Sequence, residues 1–346
     1  MSHLARSATI LPTHTPELFA AAVRQAAELL RAGEVVALPT ETVYGLAANA
    51  LDARAVGRIF EVKGRPIHNP IIVHIASLEM ARRSVTRWPA LAEKLAQAFW
   101  PGPLTLVLPR AAQIPDVIVA GGATVGLRWP SHPFIQAVIR ECGFPLAAPS
   151  ANRSNRLSPT NAEHVRQQLG ERIPLIVDGG QSQVGIESTV LDVSVTPPRV
   201  LRPGMIHEAA LVAVVGRIAV DGGVQAGVLK SPGLLGRHYS PRARLVVWLW
   251  QDEAELRRRS AAVQTEGRRV PLERIHVVAH TRIPAGEGFG RVSVIPHDAE
   301  AFARALYAEL HQCDAAGAEL IVVEALPETS EWRALADRLN RAAAGP

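Results

Sequence analysis

The feature that most constrains this chain is the recurrence of short apolar runs of β character separated by stretches with helical spacing. Thr15 and Pro16 read as the cap and first position of a helix that Gly33 stops, with Phe19, Val23, Ala26 and Leu30 on one face. The run EVVAL (34–38) then reads as a buried strand, followed by the turn-rich segment PTETVYGLAANA. Residues 52–62 read as a short helix closed by Gly64, and further strands are expected at 70–75, 104–108, 124–129, 145–149, 174–178 and 188–193. Helices are expected near 89–99, 132–141 and 160–169. Strands alternating with helices predict an α/β layer fold, a twisted mixed or parallel sheet with some antiparallel pairing.

From 216 to 241 the periodicity weakens into a Gly-rich stretch that reads as a linker or loop. Beyond it, RLVVWLW, a helix at 252–265, RIHVVAH, a helix at 298–312, ELIVVEAL and a last helix at 330–342 repeat the β-α pattern on a smaller scale. The expected division is a larger α/β domain at 13–210, a linker at 211–243, and a small Rossmann-like domain at 244–346. Its GEGFG (286–290) follows Pro284 rather than a strand, so it does not make a dinucleotide fingerprint.

No run of 18 apolar residues is present, so no membrane span is expected, and the N-terminus lacks the apolar stretch of a signal peptide. Cys142 and Cys313 are too few for a disulfide framework or a zinc site, and a cytoplasmic protein is the expectation. A net charge of +5 suits an acidic partner, yet 34 of the 37 basic residues are Arg, as compositional bias would produce. That bias singles out the three lysines, Lys63, Lys94 and Lys230.

The usual signatures of phosphate, metal and acyl chemistry are missing: there is no GK[ST] loop, HExxH, CxxC or GxSxG. Instead, several loops that follow strands or helices carry groups suited to anions. KGRPIHNP (63–70) offers an ammonium and a guanidinium around a glycine in a loop stiffened by two prolines. APSANRSNRLSP (148–159) is dense in hydroxyls, amides and Arg, with Ser150 and Asn152 able to face one ligand. PTETVYGL (39–46) brings Thr40, Thr42 and Tyr44, with Gly45 permitting close backbone approach. GIEST (185–189) and LRPG (201–204) add Ser188 and Arg202. Taken singly, each also suits an ordinary solvated loop.

Taken in this order, PTETVYGL, KGRP, the SAN turn, ESTV and LRPG closely resemble the YrdC-like threonylcarbamoyl-AMP synthase family over about 13–210. The Lys63, Arg65, Ser150 and Asn152 tetrad matches that family's signature, and SPGLLGRHYSP (231–241) with the C-terminal region resembles its longer, two-domain form. The resemblance implies an enzyme that joins L-threonine, bicarbonate and ATP into threonylcarbamoyl-adenylate and releases pyrophosphate, feeding the threonylcarbamoylation of tRNA adenosine next to the anticodon. It implies threonine contacts from Thr42, His74, Arg128, Ser188 and the Ala148 backbone, with Arg128 on the carboxylate. It implies ATP contacts from Arg65, Asn69, Thr124, Ser150, Ser158, Arg202 and Tyr239, with Lys63 and Asn152 completing the place where bicarbonate meets the α-phosphate. Mg2+ would arrive with ATP, no metal held by the protein is expected, and the partner would be the tRNA threonylcarbamoyl transferase machinery.

Three positions stay open on residue chemistry. His74 lies in an alternating strand and also suits a core histidine. Arg237, His238 and Tyr239 are all candidates for the lid's ATP contact, and this chain has His68 and Asn69 where many of those relatives carry a second basic residue. The alternative reading is a basic RNA-binding module of the same fold, and a weak RNA contact would also suit the enzyme. A carbamoyl-adenylate relative used in hydrogenase maturation is disfavoured, because two cysteines cannot supply its zinc-finger segments.

Overall fold

The computed structural model describes residues 7–219, 229–232, 239–265 and 267–344. It divides into two compact units, Met1–Ser154 with Ser158–Leu234, and Asn155–Leu157 with Leu235–Pro346. Arg237, His238 and most of the 231–241 segment lie outside the described residues.

In the first unit the chain runs β1 (Thr9–Pro12), α1 (Pro16–Arg31), β2 (Val36–Leu38), β3 (Gly45–Asn49), α2 (Ala53–Lys63), β4 (Val73–His74), α3 (Leu78–Arg83) and α4 (Ala90–Phe99). It continues through β5 (Leu104–Pro109), β6 (Thr124–Arg128), α5 (Pro133–Cys142), β7 (Leu146–Ala147), α6 (Ala162–Leu169), β8 (Leu175–Asp178), β9 (Thr189–Asp192), β10 (Arg199–Arg202) and α7 (Glu208–Val215). The strands form one mixed sheet in the order β1-β8-β2-β3-β7-β4-β6-β5-β9-β10.

Local sequence explains the helices that carry the site. The Thr15 hydroxyl accepts from Leu18 N at 3.3 Å to start α1. The apolar face of α1 is buried through Ala22, Val23, Ala26 and Leu30, and its Phe19 ring meets Phe134 of α5 edge-on at 5.1 Å. Asp52 caps α2, and Gly64 ends it in the left-handed region at φ 61°, which a residue without Cβ adopts at no steric cost. That termination leaves Lys63 as the last helical residue, buried, with KGRP turning away from it.

Sequence and structure part at β1, β3, α3 and α7, which the apolar pattern did not announce. For β3 the reason is composition: GLAAN has no β-branched or aromatic residue, so it shows no β preference, yet its first four residues are buried. Pairing on both sides makes it a strand, antiparallel to β2 (Val36↔Ala47) and to β7 (Ala48↔Ala147).

The second unit contains β11 (Arg244–Trp248), α8 (Glu253–Ala261), β12 (Gln264–Thr265), β13 (Arg268–Arg269), β14 (Ile275–Ala279), β15 (Arg291–Val294), α9 (Ala299–Ala315), β16 (Leu320–Glu324) and α10 (Arg333–Ala343). A four-stranded sheet, β11-β16-β14-β15, is parallel throughout, as a small Rossmann-like unit requires. The helix expected over 252–265 stops at Ala261, and β12 and β13 form a separate two-stranded ladder. Tyr239 belongs to this unit: it is buried at φ 62°, its ring 6.0 Å from Tyr307 and 5.2 Å from the Arg338 guanidinium carbon.

Two glycines give opposite expectations for stability. A Cβ on Gly204 would fall 2.3 Å from Thr189 N, so Gly204→Ala should cost about 1–3 kcal/mol by overpacking LRPG against ESTV. Gly57 lies within α2 with nothing within 4 Å of its Cβ position, so Gly57→Ala should stabilise by roughly 0.5–1 kcal/mol. Urea-unfolding midpoints of the two variants, moving in opposite directions, check this.

Candidate active site

The site is organised by the turn 39–44 between β2 and β3, whose backbone is wholly buried. Thr40 Oγ1 accepts from the N–H groups of Thr42 (3.2 Å) and Val43 (3.3 Å) and donates to Val43 O at 2.6 Å. Because the Thr40 hydrogen is thus committed, the 3.0 Å contact between the two hydroxyls has Thr42 as donor. Thr42 Oγ1 in turn accepts from Arg128 Nη1 at 2.8 Å. The turn is also tied to its neighbours by main-chain bonds. Glu41 O and Thr42 O accept from Val184 N (2.7 Å) and Gly185 N (3.1 Å), next to the GIEST segment. Tyr44 O accepts from Ala151 N (2.8 Å), and Tyr44 N donates to Pro159 O (2.8 Å), next to the SAN turn. Gly45 bridges Ser150, and a Cβ on it would approach that of Ala148 to 3.2 Å.

Lys63 reaches the same SAN turn from the end of α2. Its Nζ donates to Asn152 O at 2.5 Å, to Asn152 Oδ1 at 3.3 Å, and to Ser150 O. Three acceptors match the three donors of an ammonium. Burial pushes the Lys63 pKa well below the usual lysine range, Arg65 adds to this, and Glu187 opposes it. Arg65 is buried and curls back on its own loop, donating to Asn69 O (3.1 Å) and Pro70 O (2.7 Å). Asn69 is 1% exposed, and its amide Oδ1 and Nδ2 have no hydrogen-bond partner among the described residues. A buried amide left in that condition is costly, and it suits a ligand that completes it.

Arg128 ends β6 beside His74, its register partner on parallel β4. Its guanidinium forms an ion pair with Glu41 at 2.7 Å, both side chains nearly enclosed. Burial raises the Glu41 pKa, but the charge and hydrogen bond of Arg128, with the Ser131 N–H, outweigh it and hold the carboxyl below its usual range. For His74, burial and then the nearby Arg128 charge lower the pKa to about 3, so the imidazole is neutral at ordinary pH.

On the far side of β5, Ser188 Oγ lies 2.8 Å from Thr105 Oγ1. Arg202 clasps Ser188 with donors to its carbonyl at 3.0 and 3.1 Å and to its hydroxyl at 3.1 Å. Ser158 Oγ donates to Glu187 Oε1 at 2.5 Å. Thr124 opens β6, half-buried, and Ala148 N donates to Ile72 O at 3.1 Å.

The structure therefore brings Lys63 to Ser150 and Asn152, Thr42 to Arg128, Arg128 to His74, and Ser188 to Arg202. It brings Arg65 to the main-chain carbonyl of Asn69, leaves Thr124 without a direct bond to any of these among the described residues, and places Tyr239 in the other unit. Three partners were not singled out from sequence: Glu41, Thr105 and Glu187. Glu41 and Glu187 sit inside the quoted motifs, where an anion-site reading gave acidic residues no role. The available signal for Thr105 was a lone hydroxyl in the apolar run LTLVL.

Comparison with known proteins fits this arrangement. Residues 28–204 match the family model Sua5/YciO/YrdC, described as telomere recombination, which spans more than half of the chain. The chain belongs to the Sua5/YciO/YrdC family. Residues 204–344 match a second model, described as threonylcarbamoyl-AMP synthase, C-terminal domain. A threonylcarbamoyl-AMP synthase of Bacillus subtilis is 41% identical over 342 residues, covering 97% of this chain and 95% of the relative. One of Pyrococcus abyssi is 40% identical over 327 residues, covering 92% and 93%. The crystal structure of Pyrococcus abyssi Sua5 complexed with L-threonine superposes with a TM-score of 0.87 at 37% identity, covering 98% of each chain.

The neutral, buried His74 has a consequence for acid stability. The unfolded chain binds a proton near pH 6.5, while the folded chain resists until about 3, so the stability present above 6.5 is lost as pH falls through that window. The loss should run at ~1.4 kcal/mol per pH unit for this group. His74→Gln should reduce the slope of unfolding free energy against pH by about one proton's worth between those limits. An unchanged slope in pH-dependent urea titrations would contradict it.

Proposed function

We propose that this protein is a threonylcarbamoyl-AMP synthase, a nucleotidyl-transferring enzyme that joins L-threonine, bicarbonate and ATP and releases pyrophosphate. The observation that carries the reading is the turn 39–44, which ties the Arg128 cluster, the SAN turn and the GIEST segment into one buried polar network. Full-length similarity to relatives of that name supports it.

In this reading the threonine amine and bicarbonate form a carbamate with loss of water, and a carbamate oxygen then attacks the α-phosphate while pyrophosphate leaves. The chain needs no nucleophile of its own for that step. Its task is to hold three anionic groups together, and the side chains suit it. Arg128 takes the threonine carboxylate, with Thr42, His74, Ser188 and the Ala148 backbone around the amino acid. Arg65, Asn69, Thr124, Ser150, Ser158 and Arg202 hold ATP, and for Tyr239 the ATP contact rests on the resemblance alone. Lys63 and Asn152, with Arg65 and Ser150, line the junction. Fixed donors aimed at developing charge are worth about 3–4 kcal/mol each in favourable cases. Lys63 and Arg65 are donors and not metal ligands, so a Mg2+ would be held by the triphosphate oxygens, where it would share their charge. The downstream use is tRNA threonylcarbamoylation in the cytoplasm, with 13–210 as the catalytic domain and 211–243 as a lid ahead of the C-terminal domain.

Purified protein given ATP, threonine, bicarbonate and Mg2+ should release pyrophosphate only when threonine is present. Lys63→Ala and Arg65→Ala should each lower the rate by roughly 10²–10³-fold. Equal release without threonine would overturn the assignment. Steeply salt-dependent RNA binding without threonine-dependent turnover would favour the RNA-module reading instead.

A further inference from the structure

We propose that Glu41 is the positioning residue that presents Arg128 to the amino-acid carboxylate, and so sets the enzyme's selectivity for a substrate bearing that anion. The inference rests on the threonine-binding role proposed above for Arg128.

Arginine has a long, flexible stem, and a lone guanidinium in a buried pocket would be both mobile and uncompensated. Neither holds here. Glu41 Oε1 stands 2.7 Å from Arg128 Nη2, and the same oxygen accepts from Ser131 N at 3.0 Å. Glu41 thus ties the end of β6 to the segment that follows it. On the other nitrogen, the Thr42 hydroxyl accepts at 2.8 Å, and the chain of hydroxyl donors through Thr40 to Val43 O fixes that hydroxyl's direction. The backbone carrying Glu41 and Thr42 is itself anchored to Val184 and Gly185. Two adjacent residues of one immobilised turn therefore flank both terminal nitrogens of Arg128. Thr42 does so through a hydrogen bond to Nη1, and Glu41 through an ion pair with Nη2, which makes no aligned hydrogen bond among the described residues.

The charges facing this pair are few. His74 lies near Arg128 and is neutral, while His132 lies near Glu41 with its pKa pushed down chiefly by burial. Glu41 is thus the counter-ion that keeps Arg128 in place before an anion arrives. The arginine retains further N–H donors, since it carries five and a bidentate carboxylate needs two. Glu41 touches no reacting atom in this scheme; it acts through Arg128.

The test uses the full-length protein, threonine-dependent pyrophosphate release, and L-threonine against its uncharged carboxamide as competing amine substrates. Glu41→Gln keeps an acceptor for Ser131 and removes the charge. The expected result is a threonine KM raised at least tenfold, an ATP KM changed less than twofold, and a preference for threonine over the carboxamide reduced at least tenfold. Glu41→Asp, which keeps the anion, should recover part of that preference. Loss of kcat or of thermal stability with the preference intact would show a structural role only and overturn the proposal. Should Glu41→Gln not fold, the Asp variant decides: a preference equal to that of the wild type, despite the shortened side chain, overturns it, and a reduced one with unchanged ATP KM supports it. A wild-type protein without threonine-dependent release would overturn the functional reading and this inference together, whereas an active wild type isolates the failure to Glu41.

Discussion

The buried turn between β2 and β3 is the constraint on which the rest of the first unit depends. Six residues, 39–44, contribute side-chain hydroxyls, a carboxylate and main-chain groups to four other segments, and almost none of this polar surface reaches water. Burying so many donors and acceptors is tolerable only when each finds a partner. The turn meets most of that condition by bonding to Val184 and Gly185, to Ala151 and Pro159, to Ser182, and to Arg128, with Glu41 Oε2 left without a hydrogen-bond partner among the described residues. Its Tyr44 hydroxyl is similarly placed, donating to Gly180 O at 2.7 Å and accepting from Gly179 N at 3.1 Å. Loops far apart in sequence are therefore held in register by one short segment.

The buried cations follow the same logic with higher stakes. Lys63, Arg65, Arg128 and Arg202 are each less than 9% exposed, and each has oxygen acceptors supplied by the protein. For Lys63, Arg65 and Arg202 the acceptors named are main-chain carbonyls and polar side chains, which satisfy hydrogen bonds without cancelling charge. Arg128 donates to the Thr42 hydroxyl and also stands in an ion pair with the Glu41 carboxylate, which does cancel its charge. The first kind of site orients nitrogen donors with neutral oxygens and suits a polyphosphate. The second is balanced and suits a single carboxylate, bound in an orientation set beforehand.

Much of this is legible in the sequence. Helix α1 follows from Thr15, Pro16 and its apolar spacing, and α2 from Asp52 and Gly64, because capping and periodicity are local properties. The motif loops were also legible, because Lys, Arg, Ser and Asn cluster at the ends of apolar runs. The strand β3 was not: its small residues carry no β signal, and only its two antiparallel neighbours make it a strand. The candidate ligand His74 could not be told from a core histidine by pattern. Its place beside Arg128 on β6 gives it a polar context that the run IIVHI conceals.

What the amino-acid sequence determined by itself was the class of fold, the order of its elements, and the set of loops rich in anion-binding groups. These depend on periodicity, capping and composition, which act within a few residues along the chain. Tertiary structure alone decided which of those groups meet. The pairing of Glu41 with Arg128 joins the turn after β2 to the end of β6, far apart in sequence, and Thr105 of β5 meets Ser188, the residue just before β9. Such contacts depend on strand order and register, which are set by how the whole sheet packs.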